Sequence, residues 1–353
     1  MVIRVPDFYE EFHCLAGACP HTCCAKWEVV IDEETAARYA DVPGELGDRL
    51  RAALVTDEDG DLCFPLHGGR CPFLDGENLC EIHKELGEAA TSVTCREHPR
   101  FTEDYGPFRE IILSASCPAA NALLLGTDAP LTFIERREKS PEAGFDRSAD
   151  CENEEEADAW VPWLLPLRAR LLEILADRSK PLRVRLTEFL ALALEAQPLL
   201  DEERMEELPG LAADWSAPEE NAAPGPGLFP AALRFLGTLE VLEPDWRELL
   251  RQAETAPSAA VPEELPERTA MYFAFRYLLK CVNDGDLLGR AQLCVLAVLT
   301  AERLAGVCGG LSEALRRFSC EIEHCDGNLE ALREAFWQEE ELSLERFAAE
   351  LST

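Results

Sequence analysis

Four cysteines crowd into eleven residues near the start of the chain, Cys14-x4-Cys19-x3-Cys23-Cys24, and Cys63, Cys71, Cys80, Cys95 and Cys117 follow them. Nine of the fifteen cysteines thus fall within the first 117 residues. A lone free cysteine commonly behaves as a small buried hydrophobe. Four in so short a stretch, bracketed by Gly17 and Pro20, point instead to thiolates gathered around a metal. Disulfides are the other use of such a density, but they belong to oxidising compartments, and in a reducing cytosol the same pattern turns toward metal binding. Thiolates suit both zinc and iron–sulfur clusters. The spacing is neither the paired C-x2-C of zinc ribbons nor the C-x2-C-x2-C run of bacterial ferredoxins, so it leaves the metal open. An iron–sulfur cluster of the 4Fe-4S type is the first reading and zinc the alternative.

Adjacent Cys23 and Cys24 would point to opposite sides of an extended backbone and so could serve two centres. Cys14, Cys19, Cys23, Cys24, Cys71, Cys80, Cys95 and Cys117 would fill two four-ligand sites, with Cys63 spare; one cluster with some cysteines left free is the other arrangement. Cys151, Cys320 and Cys325 have no such grouping, and Cys281, Cys294 and Cys308 sit in apolar helical patterns that read as core.

The elements that must position these groups differ between the two parts of the chain. Residues 1–135 form a cysteine-rich region with short irregular segments, short helices near Glu34–Tyr39 and Glu45–Leu54, and strands near Glu28–Asp32 and Phe108–Ser114. Metal binding would be part of its folding. The acidic stretch from Arg136 to Asp158 reads as a boundary. Residues 158–353 then carry helical periodicity: Trp160–Asp177 pairs with Leu182–Ala196, and further helices are expected at Glu267–Cys281, Asp286–Ala305, Leu311–His324, Asn328–Glu339 and Leu344–Leu351. Proline and glycine make Asp214–Pro230 a loop. The fold class expected is mainly α, an irregular metal-binding N-terminal region followed by an all-helical C-terminal region.

A net charge of −35 argues against nucleic-acid and anionic-membrane partners, which need clustered cations, and favours cationic ones. No apolar run reaches the length of a membrane helix, since Arg290 and Glu302 interrupt Leu287–Leu304. The first residues carry no secretory signal. A cytoplasmic protein without a membrane span is expected. The Gly-rich turn of a Rossmann nucleotide site is absent.

Phe12-His13-Cys14, Cys19-Pro20-His21-Thr22-Cys23-Cys24, Trp27, Ile31-Asp32, Cys71-Pro72-Phe73-Leu74, Leu79-Cys80-Glu81-Ile82-His83, Cys95 with Pro99-Arg100, and Ser116-Cys117-Pro118 resemble the flagellin lysine-N-methylase family. That family lies within a broader group of zinc- or iron-chelating cysteine-cluster proteins. Tyr272-Phe273-Ala274-Phe275-Arg276-Tyr277 and Glu321 through Leu329 are similar to motifs in the family's helical half. The resemblance implies transfer of a methyl group from S-adenosylmethionine to lysine side chains of flagellin or another lysine-bearing protein.

Such a transfer requires an amine that has lost its proton, against a reference pKa of about 10.4. Donor and acceptor must be aligned at roughly 3–3.5 Å, and the sulfonium must meet carboxylates, carbonyls or aromatic faces. On the resemblance, His324 would act as base with Glu323 orienting it or meeting the cation. Tyr272 and Arg276, on one helical face, would bind the cofactor together with Arg100, and Arg100 and Glu110 would line a cleft between the two parts. The metal would be structural, because methyl transfer to nitrogen needs no electron. The alternative is a non-catalytic iron–sulfur or zinc module that senses redox state or docks a partner; a metal carrier is a third.

Overall fold

The computed structural model describes residues 1–25, 29–57, 60–137, 154–218, 225–257 and 259–352. Trp27, Glu28, Cys151 and most of the acidic stretch read as a boundary lie outside them. The fold is mainly α, with a cysteine-rich region of short elements followed by helices.

The chain divides into two compact units, one of residues 11–101 and 113–121, the other of residues 1–10, 102–112 and 122–353. This division is not the simple cut between residues 135 and 158 expected from composition. The reason is strand pairing: β1 (Val2–Pro6) joins the second unit through a sheet whose partners lie far along the chain. In the first unit, β2 (Val29–Val30), β3 (Val55–Thr56) and β4 (Leu62–Phe64) form an antiparallel sheet in the order β2-β4-β3. The remaining strands, β5 (Arg100–Asp104), β6 (Phe108–Leu113) and β7 (Phe133–Arg137), line up with β1 in the order β5-β6-β1-β7. There β1 runs parallel to β6 and antiparallel to β7, placing Arg4 opposite both Glu110 and Glu135. Sequence periodicity missed most of these strands because they are two to six residues long, too short for alternation to register.

The cysteine-bearing unit holds α1 (Glu33–Ala40), α2 (Gly44–Ala53), α3 (Glu81–Leu86), α4 (Val93–Glu97) and the start of α5 (Pro118–Leu125). Its core is small: Val29, Ile31, Tyr39, Leu46, Leu50, Phe64, Phe73 and Ile82. One carboxylate organises two helices. Asp32 caps α1 by accepting from Thr35 N at 2.9 Å and accepts from Val93 N, in the first turn of α4, also at 2.9 Å. Burial raises its pKa, but these bonds outweigh that and hold it below the usual carboxylate range.

The helical unit comprises α6 (Glu154–Ala176), α7 (Leu182–Asp201), α8 (Leu208–Asp214), α9 (Ala231–Leu236), α10 (Trp246–Thr255), α11 (Glu264–Tyr277), α12 (Leu287–Cys308), α13 (Leu311–Glu323), α14 (Asp326–Gln338) and α15 (Leu344–Leu351). Among the described residues α12 is the one helix long and apolar enough to cross a membrane, yet it is mostly buried as the central core helix. It packs against α7, α10, α11, α13 and α14. The sheet is tied in by polar and aromatic contacts: Phe133 of β7 stacks on Phe275 of α11 with ring centroids 3.9 Å apart. Arg168 of α6 grips both carboxylate oxygens of Glu110 at 2.5 and 2.6 Å, with both residues buried.

Candidate metal centre

Apart from Cys63 in β4, the cysteines of the first unit sit in or beside turns and short helices, where short elements meet. Cys14 and Cys19 flank the 3-10 turn Ala16–Ala18, and the Cys14 Sγ accepts from Ala16 N at 3.4 Å while Cys19 Sγ donates to the His21 carbonyl at 3.3 Å. Gly17 lets this loop approach the turn before Cys80: a Cβ there would lie 2.8 Å from the Glu77 carbonyl oxygen and 3.3 Å from the Leu79 side chain. The Cys24 carbonyl accepts from Cys71 N at 2.8 Å. Asp75 builds the next turn, accepting from Glu77 N at 2.8 Å, Leu79 N at 2.9 Å and Lys84 Nζ at 2.8 Å. Glu81 N then donates to the Phe73 carbonyl at 2.8 Å, setting Cys80 at the start of α3. Cys95 lies in α4, whose Ser92 cap accepts from Cys95 N at 3.2 Å. Cys117 follows a buried serine turn in which Ser114 and Ser116 share a 2.7 Å hydrogen bond and Cys117 N donates to the Ser114 carbonyl at 3.1 Å.

Charge couples these thiols into two neighbourhoods. Cys71 responds to Cys24, Cys95 and Cys80, and Cys95 to Cys24 and Cys80. Cys117 responds to Cys19 and Cys14, whereas Cys23 responds to Cys24, Cys14 and Cys95 and so links the two groups. Cys23 and Cys24 lie in a turn rather than in extended backbone, so the alternation of a strand does not apply to them. Their ionisations are linked, which favours the Cys24 thiolate and disfavours that of Cys23.

Burial pushes the Cys71 thiol up to about 12 and raises Cys80 and Cys117 as well. Buried thiols packed together resist ionisation, since each new thiolate meets low dielectric and like charge. A bound cation inverts that preference, because binding releases the protons and neutralises the accumulated charge. Among the described residues no three His, Cys, Asp or Glu side chains converge tightly enough to hold a metal ion. The donor chemistry of the set still fits a thiophilic metal. Cys14, Cys19, Cys23, Cys24, Cys71, Cys80, Cys95 and Cys117 would supply the ligands, for two four-ligand centres or for one with some cysteines left free, and the metal would supply the cross-link that the small core lacks.

The other described cysteines lie elsewhere. Cys63 is buried in β4, Cys281, Cys294 and Cys320 are buried in the helical unit, and Cys325 Sγ faces Glu240 at 3.7 Å. None of the described cysteines forms a disulfide.

In the helical unit, Tyr272, Arg276 and Glu323 come together, as their helical spacing allows. Arg276 Nε pairs with Glu323 Oε1 at 2.8 Å, Tyr272 Oη donates to Oε2 at 3.1 Å, and Tyr277 Oη donates to Oε1 at 3.2 Å. Ser319, one helical turn before Glu323, donates to Oε2 at 2.5 Å; sequence reasoning overlooked it, although the i, i+4 spacing marks the pair. Burial raises the Glu323 pKa, while Arg276 and the hydroxyls oppose the rise. His324 ends α13 and is half-buried. A cleft of about 280 Å³ is lined by Tyr277, Lys280, Asp284, Arg290, Asp326 and Glu330, among others, so Tyr277 joins the enclosed network to a surface. Arg100 belongs to the cysteine-bearing unit, where its guanidinium lies 5.5 Å from the Phe12 ring centroid. Glu110 is held in the interior by Arg168 rather than lining a cleft.

The CxxCxxCC family, described as a zinc- or iron-chelating domain, matches residues 13–113. The chain is 27% identical over 143 residues to the flagellar biosynthetic protein FliU of Salmonella muenchen, covering 39% of this chain and 85% of that protein. It is 27% identical over 148 residues to the lysine-N-methylase of Salmonella choleraesuis and 28% identical over 142 residues to that of Salmonella typhimurium. Each of these two matches covers 38% of this chain and 35% of the methylase. No solved structure matches. Residues 13–113 thus match a zinc- or iron-chelating cysteine-cluster domain, and part of the chain is similar to proteins named lysine-N-methylase.

Proposed function

We propose that this protein is a cytoplasmic protein-lysine N-methyltransferase that takes its methyl group from S-adenosylmethionine, acts on flagellin or another lysine-bearing protein, and folds around a thiolate-bound iron–sulfur centre. The observation that carries the reading is the similarity of part of the chain to proteins named lysine-N-methylase, together with a relative named for flagellar biosynthesis. A net charge of −35 suits a partner that presents lysines.

In the reaction the lysine nitrogen forms a bond to the methyl carbon as the carbon–sulfur bond breaks, leaving S-adenosylhomocysteine, and the ammonium proton passes to a base. His324 would take that proton. Glu323, fixed by Tyr272 and Arg276, would set the polarity behind it, and the carboxylates of Asp326 and Glu330 on the cleft would favour a cationic amine or sulfonium. The metal would order the cysteine-bearing unit rather than take part in transfer.

The enclosure of Glu323 by Tyr272, Tyr277, Ser319 and Arg276 favours the second reading, a non-catalytic metal module that senses redox state or docks a partner. One experiment separates the two. The protein is purified without oxygen, its iron, sulfide and zinc are measured with its visible absorption, and it is incubated with labelled donor and flagellin. Label on lysine is expected. Zinc without sulfide rejects the iron–sulfur assignment, and no label on any lysine rejects the enzyme.

A further inference from the structure

A second cleft opens in the helical unit where α7 meets α8. It has a volume of about 340 Å³ and is lined by Glu195 of α7, by Gly210, Leu211 and Asp214 of α8, and by Trp215 and Ser216 just beyond that helix. It shares no lining residue with the cleft beside Tyr277. Its charge is one-sided. Both titratable side chains on it are carboxylates, and among the described residues neither is met by a cation or a hydrogen-bond donor. Asp214 is the last residue of α8, the end of a helix at which a negative charge is disfavoured and a positive one favoured. Trp215 adds a separate observation. It is 7% exposed, its Nε1 is shielded from water, and among the described residues that nitrogen has no hydrogen-bond partner. Asp214 and Ser216, on either side of it in the chain, are exposed at the cleft. A shielded donor without an acceptor is disfavoured, and a native fold retains one when it has a use. An indole N–H only donates, so what it lacks is an acceptor such as a carbonyl oxygen. The ligand that answers both needs carries a positive charge and, beside it, a carbonyl. A simple ammonium or a metal ion brings the first without the second. A lysine or arginine residue within a polypeptide brings both, with an aliphatic stem that suits Leu211 and the indole ring.

We propose that this cleft binds a lysine or arginine side chain of a partner polypeptide, with its charged head taken by Glu195 and Asp214 and a neighbouring backbone carbonyl taken by the indole N–H of Trp215. The net charge of −35 draws a basic chain toward the surface, and the cleft selects one residue of it. Binding here needs neither a metal nor methyl transfer. On the enzyme reading the cleft would hold a basic substrate at a site other than the one beside Tyr277.

The test uses the full chain, isotopically labelled and isolated without oxygen. The probe is a capped alanine peptide with one central lysine. Its controls are the same peptide with that lysine acetylated, which loses the charge, and n-butylammonium, which keeps the charge and stem but has no carbonyl. NMR follows the Trp215 indole N–H and the Gly210 amide as each is added. The lysine peptide is expected to shift both signals saturably, moving the indole proton downfield as it gains an acceptor, and to bind more tightly than either control. Glu195→Gln combined with Asp214→Asn keeps the shape of the cleft and should weaken binding about tenfold. Gly210 is exposed and a Cβ there meets nothing within 4 Å, so Gly210→Leu should fold normally, fill the opening and abolish the indole shift. Equal binding of the acetylated peptide would overturn the role of the carboxylates. Equal binding of n-butylammonium, or an indole proton that stays in place while the Gly210 amide moves, would overturn the assignment to a polypeptide. No saturable shift in wild type would overturn the site itself and leave the methyltransferase reading untouched.

Discussion

Arg276 Nε lies 2.8 Å from Glu323 Oε1 inside the helical unit, with the two side chains 5% and 0% exposed. Two helices, α11 and α13, are joined by this pair and by the hydroxyls of Tyr272 and Tyr277 around the same carboxylate.

Breaking the pair from one side leaves a buried charge without its partner. Glu323→Gln should therefore destabilise the protein by about 3–5 kcal/mol, and Arg276→Met by a similar amount. The double substitution should cost less than the sum, because neither charge is then stranded. Urea unfolding of the four proteins measures the coupling, and additive losses would show that the pair contributes nothing of its own.

The turn that precedes Cys80 depends on an ionised Asp75. Its pKa is lowered to about 2, chiefly by the Lys84 ammonium and then by the Leu79 amide. A depressed folded-state pKa stabilises above the unfolded value, roughly 4, and that contribution is lost as pH falls through about 2. Hydrogen exchange at the Leu79 amide should accelerate, relative to a distant amide in α12, as pH drops from about 4 toward 2. Asp75→Asn should show the faster exchange already at neutral pH.

At Gly17 the first cysteine loop closely approaches this turn. A methyl group at 2.8 Å from the Glu77 carbonyl oxygen forces one of the two segments aside. Gly17→Ala should lower the metal content of the isolated protein and reduce stability by about 1–3 kcal/mol, the usual cost of overpacking. Full metal content and an unchanged thermal midpoint would mean that the loops do not need to touch.

Cysteine substitutions should sort by role. Cys24→Ser and Cys71→Ser, at the two ends of one backbone hydrogen bond, should abolish metal binding. Cys63→Ser should retain metal, since Cys63 lies in β4 and packs in the interior. It should instead lose about 1–3 kcal/mol for a buried hydroxyl. Elemental analysis beside thermal unfolding separates the two classes.

The amino-acid sequence alone determined the cysteine clustering, the charge and the positions of most helices. Leu344–Leu351 is a helix over the very span its periodicity gave, and α7, α11, α12, α13 and α14 begin and end within a few residues of expectation. Long amphipathic or apolar patterns register because many residues repeat one spacing. Only the tertiary structure decided what lies between distant segments. It took β1 away from the cysteine-bearing unit and paired it with β6 and β7, buried Glu110 under Arg168, brought Ser319 and Tyr277 to Glu323, and set Cys23 and Cys24 in a turn. These relationships depend on contacts between residues far apart in the chain and on backbone turns of two or three residues. Neither leaves a repeating pattern, because the energy that selects them is long-range packing and burial rather than local preference.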